Sequence, residues 1–248
     1  MPLKEEFRTQ GDFLFKNRGY LPIIIVVAGF LVYYLKELAG TDLSFINRNI
    51  YELICIFISL LGFFIRFLSV GFSGDRTSGR NTSEGQIADS VNIYGLYSTC
   101  RHPLYVGNFL IWLGVAAFTQ DLWFVVAFIF MYWVYYERIM YAEEEFLREK
   151  FGDAYTTWAS KTPAFIPNFR KYKKPITKFN FKKVIRQEKS GLLNLFFTIF
   201  LFDVISQFAR TSIFSLKNDY FFIAFVAMLS IYIVIKLIQK TTSWLEDK

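Results

Sequence analysis

Six apolar runs leave this chain few choices of fold. Residues 21–39, 51–72, 104–119, 122–136, 192–209 and 220–238 are built mainly from Phe, Leu, Ile, Val, Ala and Tyr. The longer ones match the ~20 residues a helix needs to cross a hydrocarbon core about 30 Å thick. Backbone groups in lipid must bond within their own segment or around a closed barrel. These runs are continuous rather than alternating, so barrel strands are excluded and helices are expected. The expected fold is an all-α integral membrane protein of about six transmembrane helices. The pair at 104–119 and 122–136 is short and parted only by Gln120 and Asp121, which predicts a tilted or partly spanning hairpin.

Charge placement orients these helices. The chain carries a net charge of +7, and residues 170–189 hold nine Lys/Arg against the single acid Glu188. With the N-terminus in the cytoplasm, the short outward loops carry only Arg48, Arg210 and Lys217 as bases, and most other cations face in. That is the positive-inside pattern, with both termini cytoplasmic. Each base beside an anionic leaflet gains about 1 kcal/mol. Anionic membrane lipids are therefore expected partners, and nucleic acid is not. Before the first run, Glu5, Glu6 and Asp12 mix with the bases, and no small-x-small site follows it. The run is read as a retained anchor, not a cleaved signal.

Three blocks result: 1–72 with two membrane helices, 73–167 as a mixed core, and 168–248 as a basic linker with two more membrane helices. The loop at 73–86 is rich in Gly, Ser, Thr and Asn and is expected to be neither a membrane helix nor a stable strand. Its Arg76 and Arg80, among hydroxyls and glycine amides, suit an anion such as phosphate. Residues 138–151 suit an amphipathic helix in which Ile139, Ala142, Phe146 and Leu147 share a face. Glu143 falls inside that apolar stripe and must meet a partner there. Glu144 lies further round, within i,i+4 reach of Arg148. Phe151-Gly152 is the expected stop. An aromatic, proline-bounded tail follows and is expected to lie along the interface or fold back as a lid.

Several chemistries lack their residues. Neither a dinucleotide-binding nor a Walker-type glycine loop occurs. His102 is the only histidine and the two cysteines, Cys55 and Cys100, are unpaired in spacing, which argues against a metal site and a disulfide. A G-x-S-x-G elbow is missing. What remains is Tyr97, His102, Tyr105, Glu143 and Glu144, a set of donors, acceptors and π-faces suited to a polar cofactor with a purine ring and hydroxyls. It contains no evident nucleophile.

The string Arg101-His102-Pro103-x-Tyr105-x-Gly107, then an apolar hairpin, then Glu143-Glu144-x-x-Leu147-x-x-x-Phe151-Gly152-x-x-Tyr155 resembles the isoprenylcysteine carboxyl methyltransferase family and the related phospholipid methyltransferases. The resemblance covers about residues 86–168. It implies a helical membrane enzyme holding S-adenosylmethionine in a cytosol-facing pocket without a dinucleotide-binding fold. On that resemblance Gln86, Asn92, Tyr97, His102, Pro103, Tyr105, Gly107, Glu143 and Glu144 are the cofactor contacts. Isoprenylcysteine enzymes carry a substrate-binding arginine four residues before the acidic contact. Here Ile139 holds that position and Arg138 is one step away, a rotation of about 100° on a helix.

The loop Arg76-Thr77-Ser78-Gly79-Arg80-Asn81-Thr82, together with Tyr97-Ser98-x-x-Arg101-His102-Pro103-Leu104-Tyr105-x-Gly107-Asn108, resembles a bacterial branch that methylates the 1-phosphate of lipid A. That implies a bacterial inner-membrane enzyme, with a lipid substrate held by Arg76, Arg80, Arg138 and Arg170. A phosphate or carboxylate is already nucleophilic at pH 7 and needs no base, so His102 is expected to hold cofactor rather than move a proton. The alternatives are an isoprenylcysteine-type carboxyl or phospholipid amine methyltransferase, a sterol reductase-like membrane enzyme, or a non-enzymatic membrane scaffold.

Overall fold

The computed structural model describes residues 2–41, 46–74, 77, 80–82, 85–213 and 219–245. The helices are α1 (Leu3–Lys16), α2 (Tyr20–Ala39), α3 (Arg48–Gly71), α4 (Pro103–Ala117), α5 (Leu122–Phe151), α6 (Asp153–Ala159), α7 (Phe181–Thr211) and α8 (Tyr220–Thr241). Five of them (α2 from Pro22, α3, α5, α7 and α8) are long and apolar enough to cross a membrane. No part of the α8 window is buried in the protein. An apolar helix so uncovered suits a lipid surround.

The expected all-helical membrane fold is present, with differences in how it is cut. The sixth expected span, α4, has only 15 residues. Its partner does not end near Tyr136. No Gly or Pro interrupts 122–151, so the second limb and the expected acidic helix form one 30-residue helix, α5. Asp121 Oδ1 caps its start by accepting from Phe124 N at 2.8 Å. Gly152, at φ +54°, ends it and donates its N–H to Arg148 O at 2.9 Å, as its position predicts.

The basic linker is likewise half helical. Asn180 Oδ1 accepts from Lys183 N at 2.9 Å and starts α7 eleven residues before the apolar run at 192. The loop at 73–86 departs from expectation as well. Arg80–Thr82 (β1) and Gly85–Ile87 (β2) pair antiparallel, with Arg80 opposite Ile87 and Thr82 opposite Gly85. So short a ribbon is held by backbone bonds and needs no apolar alternation, the signal that marks a strand in sequence.

Helix α1 precedes the first apolar run and is not among the expected elements. Its signals are Glu5 and Glu6 in the first turn, Lys16 in the last, and Phe7, Gly11 and Phe15 at i,i+4 spacing. A Cβ on Gly11 would collide with the Arg138 carbonyl and Ala142 Cβ, so glycine lets α1 lie directly on α5.

Two compact units make up the chain. One comprises Met1–Pro22, Phe64–Phe109 and Ile129–Phe179. Within it Ala88, Leu147 and Tyr155 form a buried cluster with Phe146, Phe151 and Trp158 against it. The other comprises Ile23–Phe63, Leu110–Phe128 and Asn180–Lys248. Its core centres on Phe202, with ring centroids 4.8, 5.1 and 5.5 Å from Phe30, Tyr33 and Phe118. There Gly114 lies against Ser59 and the Cys55 carbonyl, and Ser59 Oγ donates to Ile111 O at 2.9 Å. The same unit holds an ionic knot. Glu37, with a side chain 3% exposed, takes Arg48 at 2.6 Å and Arg210 at 2.5 Å. Arg48 also reaches Glu52 at 2.9 Å, Ser206 at 3.0 Å and the Tyr33 hydroxyl.

Candidate functional site

Pro103 begins α4, where its missing N–H is no loss and its fixed φ suits the first turn. The preceding residue, His102, gives its carbonyl to Tyr105 N at 3.0 Å and Val106 N at 3.2 Å and so starts the helix. The turn is strapped from outside. Arg101 N donates to Pro163 O at 2.9 Å, His102 N to Ala164 O at 3.1 Å, and Asn168 N to Thr99 O at 2.9 Å. Gly95 N bonds Lys173 O at 2.9 Å, and Lys173 N bonds Ser98 Oγ at 2.8 Å. The proline-bounded tail thus lies over the Arg-His-Pro loop, whereas the sequence left open whether it folds back or lies along the interface.

The histidine is closed in between two carboxylates. His102 Nε2 lies 2.8 Å from Glu144 Oε1, and Nδ1 lies 3.6 Å from Glu143 Oε2. Tyr105 donates its hydroxyl to Glu143 Oε2 at 2.9 Å, and its ring stacks on the imidazole at 5.5 Å. Glu143 therefore has the partner its place in the apolar stripe demands. Glu144 does not pair with Arg148, which bonds Glu145 at 2.7 Å instead. Glu144 Oε1 takes Arg101 Nε at 2.8 Å as well as His102, because the strap brings both cations over that face of α5. Arg101 Nη1 also donates to the Ala159 and Thr162 carbonyls at 2.7 and 2.9 Å.

Burial disfavours a charged imidazole, but hydrogen bonds and attraction from Glu143 and Glu144 outweigh it, so the His102 pKa is raised above its ordinary value. Burial holds the Tyr97 phenol well above its usual range, with the charge of Glu143 adding to it. The neighbouring Cys100 thiol is pushed up to about 11, chiefly by burial, and is a poor nucleophile at neutral pH.

Tyr97, His102, Pro103, Tyr105, Gly107 and Glu143 are all buried, and Glu144 is partly so. Asn92 accepts from Gly74 N at 3.4 Å through Oδ1, while its Nδ2 is buried with no partner among the described residues. The Tyr155 hydroxyl is in the same condition. Tyr105 and His102 both address Glu143 Oε2, which leaves Oε1 without a hydrogen bond among the described residues. An unpaired buried donor, an unpaired hydroxyl and an open carboxylate oxygen suit a polar ligand carrying hydroxyls and an amine.

Gln86 pairs with Asn81 through the backbone of the ribbon, and Arg80 with Ile87. The side chains of both, and all of Arg76, lie outside the described residues. Arg138 does not join the cluster. It donates Nε to Gln10 at 2.7 Å and Nη1 to Val134 O at 2.8 Å, and lies 4.9 Å over the Phe7 ring. Ile139, one step on, is fully buried. Arg170 is exposed. Arg101, Tyr132, Tyr136, Asn108 and Arg66 are not among the residues the sequence marks for the site, yet all bond at or beside it. Tyr132 stacks on Tyr136 at 4.1 Å, and its hydroxyl bonds Tyr105 O at 2.7 Å. Asn108 takes Arg66 at 2.6 Å and donates to the Tyr136 hydroxyl at 3.4 Å. The i,i+4 spacing of the two tyrosines was the available signal.

Residues 50–154 match the family described as "Phospholipid methyltransferase". That segment holds every residue of the cluster from Asn92 to Glu144. The chain is 37% identical over 79 residues to "Cobalt-zinc-cadmium resistance protein CzcN" of Cupriavidus metallidurans, covering 32% of this chain and 36% of that protein. It is 31% identical over 83 residues to "Nickel-cobalt-cadmium resistance protein NccN" of Alcaligenes xylosoxydans xylosoxydans, covering 34% and 38%. It is 33% identical over 73 residues to "Protein-S-isoprenylcysteine O-methyltransferase" of Schizosaccharomyces pombe, covering 29% and 31%. The chain thus spans about a third of the length of the curated relatives it matches. No solved structure matches it.

Proposed function

We propose that this chain is an S-adenosylmethionine-dependent membrane O-methyltransferase acting on an anionic lipid group, with a lipid phosphate such as the lipid A 1-phosphate as acceptor. The observation that carries the reading is the closed His102–Glu143–Glu144 cluster, lying inside the segment similar to phospholipid methyltransferases. Bound there, the cofactor supplies a methyl group made electrophilic by its sulfonium. Glu143 Oε1 would accept from its amine or hydroxyls, and Asn92 would donate to its carboxylate. The Tyr105, Tyr132 and Tyr136 rings offer π-faces to a cation.

Both ring nitrogens of His102 face carboxylates, so neither is left to take a proton from an acceptor. An acceptor that is already anionic needs none removed. The chain's work is then positioning and exclusion of water, which the strap and the buried cluster serve. Arg76 and Arg80 supply the countercharge to the acceptor. Arg138 is engaged with α1, and Arg170 faces outward. The phosphate subclass rests on the likeness of the 76–82 loop together with the string at 97–108, with the bacterial inner membrane and cytoplasmic termini following from it and from the charge pattern.

A second reading keeps the chemistry and changes the acceptor to the carboxylate of an isoprenylcysteine, in keeping with the name of the fission-yeast relative. The buried Ile139 in place of the family's arginine weighs against it. Labelled S-adenosylmethionine, offered with lipid A and with a prenylcysteine analogue, separates the two. Label in lipid A is expected; label only in the prenylcysteine would overturn the phosphate reading, and label in neither would overturn both.

A further inference from the structure

The outer face of the strap carries a polar concavity of about 780 Å³, lined by residues 159–163 and 166–171 together with Arg101. Its ionisable lining is Arg101, Lys161, Arg170 and Lys171, and no acid lines it. Glu144 answers Arg101 at Nε only, and Arg101 Nη2 makes no hydrogen bond among the described residues. Lys171 Nζ is turned onto the Lys161 carbonyl. The side chains of Lys161 and Arg170 have neither ion pair nor hydrogen bond among the described residues. Three cations with no acid partner among the described residues, beside an Arg101 that Glu144 answers at Nε alone, leave a preference for an anion.

The lining is also amphipathic. Ile166 is 79% exposed and Phe169 68% exposed, and both belong to the concavity. Beyond it Tyr172 and Ile176 stay exposed between Lys173, Lys174 and Lys178. A free anion would satisfy the cations and leave these side chains in water. A bilayer surface satisfies both, with phosphates on the bases and the apolar side chains among acyl chains.

We propose that this concavity binds the phosphate headgroup of an anionic phospholipid, with Ile166 and Phe169 inserted into the leaflet beside it. The ligand is a resident of the bilayer and not the methyl acceptor, so the inference goes beyond the methyl-transfer reading. It also reaches the cluster. Arg101 lines the concavity and at the same time holds the Glu144 oxygen that faces His102. The strap carbonyls of Pro163 and Ala164 hold the backbone of Arg101 and His102. A headgroup seated on the strap thereby steadies the loop that carries the histidine.

The test is lipid binding by the purified full chain in uncharged detergent, read by native mass spectrometry and by amide exchange of residues 159–173. The ligands are phosphatidylglycerol, phosphatidylcholine and inorganic phosphate. At least tenfold preference for phosphatidylglycerol over phosphatidylcholine is expected, with protection of the strap. Lys161→Glu with Arg170→Glu is expected to abolish the preference while keeping the thermal unfolding midpoint. Ile166→Ser with Phe169→Ser keeps the cations and is expected to weaken phosphatidylglycerol severalfold. Equal binding of the two lipids, unchanged binding by the charge-reversed variant, or equal protection by phosphate alone (a soluble-anion site) would each overturn the proposal. No readout uses a methyl donor, so its failure is distinguishable from failure of the methyltransferase reading.

Discussion

His102 Nε2 lies 2.8 Å from Glu144 Oε1, although the two residues are 42 positions apart and an entire apolar hairpin separates them. Arg101 meets the same oxygen. Removing that carboxylate charge leaves two cations facing each other in a partly buried setting. Glu144→Gln is expected to destabilise the protein by about 2 kcal/mol, measured by thermal or denaturant unfolding in detergent. An unchanged midpoint would show that the pairing contributes nothing.

Glu143 leaves its Oε1 open to a ligand, whereas Glu144 Oε1 is held by both Arg101 and His102. Glu143→Gln and His102→Ala are each expected to weaken S-adenosylmethionine tenfold or more in calorimetry, a loss of about 1.4 kcal/mol or greater. Wild-type affinity in both variants would remove the cofactor from this site.

Stability should also report on the histidine. The folded-state pKa of His102 is raised, so the folded form binds its proton more tightly than the unfolded chain does. The resulting contribution is complete below about pH 6.5, the ordinary histidine value, and is lost as pH rises through the raised folded value. The unfolding midpoint is expected to fall across that window in the wild type and to lose this slope in His102→Gln. The chain has no other histidine, and Cys100, held at about 11, stays protonated there. A slope retained in the variant would assign it to another group.

Arg101 holds the strap by two carbonyls in addition to Glu144, through a guanidinium whose several donors a lysine cannot reproduce. Arg101→Lys is expected to speed amide exchange at His102, whose N–H is bonded to Ala164 O, by tenfold or more, while α3 and α7 keep their protection. Exchange rising evenly throughout would point to global destabilisation instead.

Close packing at Gly114 gives a test remote from the cluster. A Cβ there would collide with Ser59 Oγ and the Cys55 carbonyl, the second of which cannot turn aside. Gly114→Ala is expected to lower stability by about 1–3 kcal/mol despite its higher helix propensity. A stabilised variant would show that α3 and α4 are not in contact there.

The runs at 21–39, 51–72 and 220–238 were legible because lipid imposes one pattern on every spanning residue, and pattern suffices where no partner is needed. Glu143 was legible because a carboxylate in an apolar stripe implies a partner. The error over Glu144 has the same root. Helical spacing offered Arg148, but the strap supplied Arg101 and His102 from far along the chain, which no local period encodes. The small ribbon at 80–87 and the docking of α1 through Gly11 depend on backbone pairing and on the absence of a side chain, and neither leaves an apolar signal.

The unbroken course of α5 makes it a ruler. Thirty residues at 1.5 Å each give about 45 Å, some 15 Å more than the hydrocarbon it crosses. With its apolar N-terminal portion fixed in the bilayer, the height of Glu143 and Glu144 above the hydrocarbon is a matter of residue count. On the methyl-transfer proposal, an acceptor would react only if its anionic group rode at that same height. Selection among membrane lipids would then begin with depth, before any side chain touches a headgroup. One residue inserted between Tyr136 and Glu143 would raise the carboxylates by 1.5 Å and turn them by about 100°, away from the loop that waits for them.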